Sequence, residues 1–199
     1  MPAPFAYHRL VVGYHGCDRS VAEDVLLRGR ALKPSVNPWD WLGKGIYFWE
    51  HGPERALEFA RWKQSRNEVD EPFVIGAHVH LGRCFDLTDT FATSQLGAFH
   101  SALADLLTGE GLPLPENVPG GAGDFDLIRR NLDCAVLNFG LDRYARLDPP
   151  VTYDTVRGVF VEGDAAFPGS KIFTKTHVQV AVRNRDCILG FFRPSGYGP

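Results

Sequence analysis

The sequence predicts an α+β fold with helices inserted between the early strands and a strand-rich end. Three observations lead there. Short apolar segments rich in β-branched residues recur along the chain, two segments with helical spacing separate the first of them, and strand-like runs at 156–161, 178–182 and 188–192 dominate the last third. A chain of 199 residues, 44% hydrophobic and 23% charged, has the size and balance of one folded domain, 1–199, with a substantial core.

Leu10-Val11-Val12-Gly13-Tyr14-His15-Gly16 reads as a strand ending in a glycine turn, with Val11, Gly13 and His15 on one face. Ser20-Val21-Ala22-Glu23 has the form of a capping box, and with Gly29 beyond the apolar run it predicts a helix over 20–28. Asn37-Pro38 interrupts the chain before Gly43-Lys44-Gly45-Ile46-Tyr47-Phe48, a strand whose Gly45, Tyr47 and Trp49 share a face. Gly52-Pro53 opens a second helix, extending to about Arg66, with Ala56, Phe59, Ala60 and Lys63 on one side.

The run 73–81 is apolar on both faces, as a central strand covered on both sides requires. Leu96, Phe99, Leu103 and Leu106 repeat at helical spacing up to Gly109. Residues 111–123, rich in Pro and Gly, form either a lid or a plain connection, and 124–139 reads equally as a helix or as a segment ending in a buried strand at Cys134-Ala135-Val136-Leu137. Residues 89–150 carry no recognisable motif.

A net charge of −3 argues against a surface made for non-specific polyanion binding. Cys17, Cys84, Cys134 and Cys187 are scattered singly, which suits reduced thiols better than disulfides and provides no metal-ligand spacing. No basic-then-apolar leader and no apolar run of membrane-spanning length is visible. These features lead to the expectation of a cytoplasmic protein with no membrane partner and no metal.

Three motifs carry chemistry: Tyr14-His15-Gly16, Gly43-Lys44-Gly45-Ile46-Tyr47-Phe48, and Thr176-His177-Val178-Gln179-Val180-Ala181-Val182. A His at a strand end can bond a hydroxyl, a strand Tyr can stack on a flat ring, and glycines let backbone and ligand approach. Alternation puts Lys175, His177, Gln179 and Ala181 on one face and Val178, Val180 and Val182 on the other, a polar row backed by an apolar one. Each motif alone also fits a bland role: a satisfied core histidine, a core tyrosine, an edge strand. Lys44 is not a P-loop lysine, because the spacing and the following Ser or Thr are missing.

In their order, the three motifs resemble the nucleotide pocket of the ADP-ribosyltransferase superfamily, in its PARP and diphtheria-toxin-like His-Tyr-Glu branch. The resemblance implies a split β-sheet core with NAD, as substrate, in the cleft. It assigns catalysis to His15, Tyr47 and Gln179 and cofactor binding to Tyr14, His15, Gly16, Gly45, Tyr47 and Gln179. Gln179 stands where the branch has a catalytic Glu; a neutral amide can position ribose but offers no charge to an oxocarbenium and cannot act as a base. Transfer of a single ADP-ribose, rather than polymer growth, is therefore expected.

The resemblance places an acceptor loop at 163–176. Lys171, Phe173 and Lys175, with Phe167, suit a nucleic acid by stacking and charge, and Glu162 and His177 are the candidate general bases. Compact bacterial members of the superfamily imply a toxin or phage-defence effector that modifies nucleic acid or protein and is restrained by an antitoxin. The rival readings are a non-catalytic NAD- or ADP-ribose-binding module and an NAD glycohydrolase. An RNA 2′-phosphotransferase lacks evident basic phosphate-handling residues here.

Overall fold

The structure, a computed structural model, describes residues 6–120 and 127–197. The order is β1 (Ala6–Asp18), α1 (Arg19–Arg28), β2 (Ile46–Glu50), α2 (Pro53–Ser65), β3 (Pro72–Asp86), α3 (Thr90–Gly109), β4 (Asn117–Val118), β5 (Arg129–Arg130), α4 (Asn131–Tyr144), β6 (Thr155–Phe160), β7 (His177–Val182) and β8 (Ile188–Phe192). The fold is α+β, with α1 and α2 inserted between the first three long strands.

The pairings β1–β2, β2–β7, β7–β6, β6–β3 and β3–β1 close a circuit, and β8 adds to β3. All are antiparallel except β3–β6. Residues of β3 are buried on both faces for most of its length, the burial expected of a strand that pairs with three others. One weak seam interrupts the circuit. β1 and β2 pair only at Gly13↔Glu50 and Tyr14↔Trp49, whereas β1 stays on β3 as far as Asp18↔Pro72.

Helices cover the sheet in separate places. Ala22 and Val25 of α1 pack with Val11, Ile46, Phe48, Ile75, Val180 and Val182. Phe99 and Leu103 of α3 and Val136, Leu137 and Leu141 of α4 pack with Phe85, Val156 and Ala181. Ala56 of α2 packs with Trp49 and Val74.

Three sequence expectations change. β1 does not end at Gly16, which pairs with Val74; Gly16 is needed because a Cβ there would lie 2.0 Å from the Ala56 carbonyl of α2. The N-cap of α1 is Asp18 rather than Ser20: the Asp18 carboxylate accepts from the backbone and hydroxyl of Ser20 and from the backbone of Asp70 and Glu71, contacts that hold it down at about 2. The ambiguous stretch resolves as helix α4 from Asn131 onward, packed on α3 where Gly140 makes room for Phe99, while 124–126 lie outside the described residues.

Within 111–123, Asn117–Val118 pairs with Arg129–Arg130, and 121–123 lie outside the described residues. Arg130 gives α4 no side-chain cap, so Asn117 does this from a distance, its Oδ1 accepting from the backbone of Leu132 and Asp133 at 2.9 and 3.3 Å. Among the described residues no helix is long and apolar enough to cross a membrane.

Candidate functional site

His15, Tyr47 and Gln179 sit on β1, β2 and β7, three consecutive strands of the sheet. Their side chains do not share a face. His15 turns towards the first core, its ring 5.8 Å from that of Phe48, while Tyr47 and Gln179 take the opposite face with Ala181 and Trp49. The His15 ring stands where β1 and β2 have parted and bridges them, its Nδ1–H donating to the Tyr47 carbonyl at 2.8 Å. Burial, helped by Lys63 and opposed by the Tyr47 carbonyl, lowers the His15 pKa and so favours the neutral ring, in which the Nδ1–H bond to Tyr47 leaves Nε2 as the acceptor.

The Tyr47 hydroxyl donates to the Gly43 carbonyl at 2.7 Å and accepts from the Leu42 amide at 3.0 Å, tying down the turn before its own strand. Burial and the nearby Asp40 push its pKa well above the ordinary phenol value. The glycines expected to admit a ligand are filled by protein instead. A Cβ on Gly43 would meet Asn138 of α4 at 2.6 Å, and one on Gly45 would meet the Val182 carbonyl at 3.0 Å. Lys44 reaches Asp142 at 2.9 Å. Tyr14 packs with the α2 layer, edge-on to Phe192, and Gly16 lies beneath the same helix.

Gln179 is buried, and its Oε1 accepts from the indole N–H of Trp41 at 2.6 Å. Trp41 crosses β6 to make that contact. It does so over Gly158, the residue paired with Gln179, where a Cβ would lie 2.7 Å from the indole.

Beside Gln179 on the same face, His177 is stacked on its cross-strand partner Phe160, ring centroids 5.6 Å apart, and faces Trp49 at 6.3 Å. Its Nδ1–H donates to the Lys175 carbonyl at 2.7 Å, which fixes the tautomer and leaves Nε2 as the basic nitrogen. Burial, with Arg55 adding, lowers the His177 pKa. Glu162 is bound to Arg55 of α2 at 2.7 Å and lies 3.9 Å from His177 Nδ1. Of the two candidate bases, His177 keeps Nε2 without a partner among the described residues, and Glu162 is engaged in an ion pair. Trp49 is buried, and its indole N–H is without a partner among the described residues.

The segment expected to recognise an acceptor is a hairpin extending β6 and β7. Glu162 and Lys175 bond through their backbones, Ala165 bridges Phe173, and the chain turns at 167–170. Phe167 and Ile172 near its end are 60% and 68% exposed, and Lys171 and Lys175 are also exposed, whereas Phe173 is half-buried.

Sequence reasoning missed Trp41, Arg55 and Gly158, and it placed Trp49 on the face of Tyr47 without giving it a role at the site. The aromatic and basic character of Trp41 and Arg55 was their one local signal, and nothing local links them to Gln179. The four cysteines are free and buried, with burial raising Cys17 and Cys84 to about 12 and Cys134 and Cys187 to about 11. Among the described residues no group of three or more His, Cys, Asp or Glu is placed to hold a metal ion.

No family model matches the chain, and no solved structure matches it. Over 87 residues, 42% of this chain, it is 37% identical to an uncharacterised protein of Methanocaldococcus jannaschii, and that match spans 39% of the relative. The likeness establishes common sequence over part of both chains.

Proposed function

We propose that the protein is an NAD-dependent mono-ADP-ribosyltransferase. The observation that carries this reading is the arrival of the three motifs on consecutive strands, at the seam where β1 leaves β2 and the His15 ring bridges the gap. Neutral His15 offers an acceptor nitrogen to a ribose hydroxyl. Gln179 offers its amide, and His177 a base oriented by the Lys175 carbonyl. In this reading the hairpin with Lys171, Lys175 and Phe167 selects a macromolecular acceptor, nucleic acid or protein, and the biology is that of a toxin or defence effector.

Incubating the protein with NAD tests the reading. Release of nicotinamide with attachment of one ADP-ribose to an acceptor is expected, and Gln179→Ala is expected to lower turnover by about tenfold or more, the effect of losing a positioned polar contact. Full turnover in that variant, or polymeric adducts, would overturn the assignment. A second reading, a binding module without chemistry, is favoured by one observation: Gln179 replaces a charged residue and its oxygen is already held by Trp41. Saturable NAD binding without nicotinamide release would select it.

A further inference from the structure

We propose that Trp41 is the positioning residue of the site and makes Gln179 a hydrogen-bond donor to the ligand, so that the group bound at this corner must present acceptor oxygens. An indole N–H can only donate, so the 2.6 Å contact decides which end of the Gln179 amide is the oxygen. With that oxygen turned to Trp41, the free valence of the side chain is its NH2, which makes no hydrogen bond among the described residues.

Two further features agree with this polarity. Gly158 leaves the space through which the indole reaches Gln179, since a Cβ there would lie 2.7 Å from Trp41. Trp49, directly across from Gln179 in the β2–β7 register, adds a buried indole N–H with no partner among the described residues. A buried donor without an acceptor is costly, so the corner is short of acceptors as it stands. A Glu at 179 would keep the Trp41 contact through one oxygen and show the ligand an acceptor; Gln shows it a donor. Hydroxyl and carbonyl oxygens suit this corner, and donor-only groups such as ammonium or guanidinium do not.

The inference rests on the NAD reading for the identity of the ligand, but not for the polarity of the amide. In the free protein, hydrogen exchange of the Trp41 indole N–H, followed by NMR, is expected to be about tenfold slower than in Q179L, which keeps the volume and removes the acceptor. Equal exchange in the two proteins overturns the proposal. In calorimetric titrations with NAD, W41F and G158A are each expected to weaken binding about tenfold, and W41F combined with Q179A to be no worse than Q179A alone, because both act through one amide. W41H, which keeps a ring N–H, is expected to recover most of the affinity. Additive losses, or W41F binding as tightly as the wild type, overturn the proposal. Absence of NAD binding by the wild type sinks the transferase reading only, and the indole exchange then decides the role of Trp41.

Discussion

On one face of β2 and β6, Glu50 and Arg157 join Asp86 at the end of β3 in a buried ionic cluster; on the other face of β2 and β7, Trp49, His177 and Gln179 form a neutral polar one. In the first, Arg157 Nε and Nη2 bind Glu50 at 2.6 and 3.2 Å, and Nη1 binds Asp86 at 3.2 Å. Thr88 completes Asp86 and Arg9 reaches Glu50. Burial works against the Arg157 charge, but the two carboxylates outweigh it and raise its pKa. In the second, His177 and Gln179 each have one internal bond and one direction left open among the described residues, Nε2 and the NH2, and the N–H of Trp49 has no partner there. A cluster whose valences are closed internally has structural work only. One with open valences has the capacity to bind.

The largest expected effect breaks the closed face. Arg157→Met leaves two buried carboxylates without their cation and is expected to cost about 3–5 kcal/mol in urea denaturation. A loss below about 1 kcal/mol would show that the cluster is solvated and the contrast false.

The open face should be cheaper to disturb. Gln179→Ala removes one neutral hydrogen bond and is expected to cost about 1–2 kcal/mol, leaving the fold intact while turnover falls. Destabilisation as large as that of Arg157→Met would make Gln179 a structural residue like its counterpart.

A smaller effect is a pH dependence specific to the histidines. His15 and His177 both titrate below their ordinary 6.5 in the folded protein. Between the lowered values and 6.5 the unfolded chain therefore binds more protons, and stability rises with pH before levelling above it. Denaturation midpoints from about pH 5 to 8 should follow that curve, with a shallower slope in His177→Asn. An unchanged slope in that variant would mean that His177 is as solvated when folded as when unfolded.

The least effect on stability is expected at the hairpin. Lys171→Ala with Lys175→Ala should leave the melting temperature within about 2 °C, as for exposed side chains, and should lower acceptor labelling more than NAD affinity. Equal loss of both would remove the hairpin from acceptor selection.

Much of this architecture was legible in local pattern. The run at 188–192 is β8 as expected, and Gly52-Pro53 does open α2. Alternation correctly put His177, Gln179 and Ala181 on one face of β7, since a period of two is a property of any extended chain. The capping box misled because Asp18 lies one residue before the helix and has a carboxylate free to accept, so it competes successfully with Ser20. At the glycines of the motifs, sequence showed that a side chain was unwelcome but not whether ligand or protein occupied the space. At Gly16 it is α2.

Periodicity, glycines and capping residues by themselves determined the order and kind of most elements, because those preferences act within a few residues of the chain. Tertiary structure alone decided that α4 is a helix capped by Asn117, and that His15 and Tyr47 face opposite ways beside a seam. It also decided that Gln179 is oriented by Trp41, a residue 138 positions away. A hydrogen bond of that kind depends on where two strands and a loop come to rest together, and no local propensity encodes it.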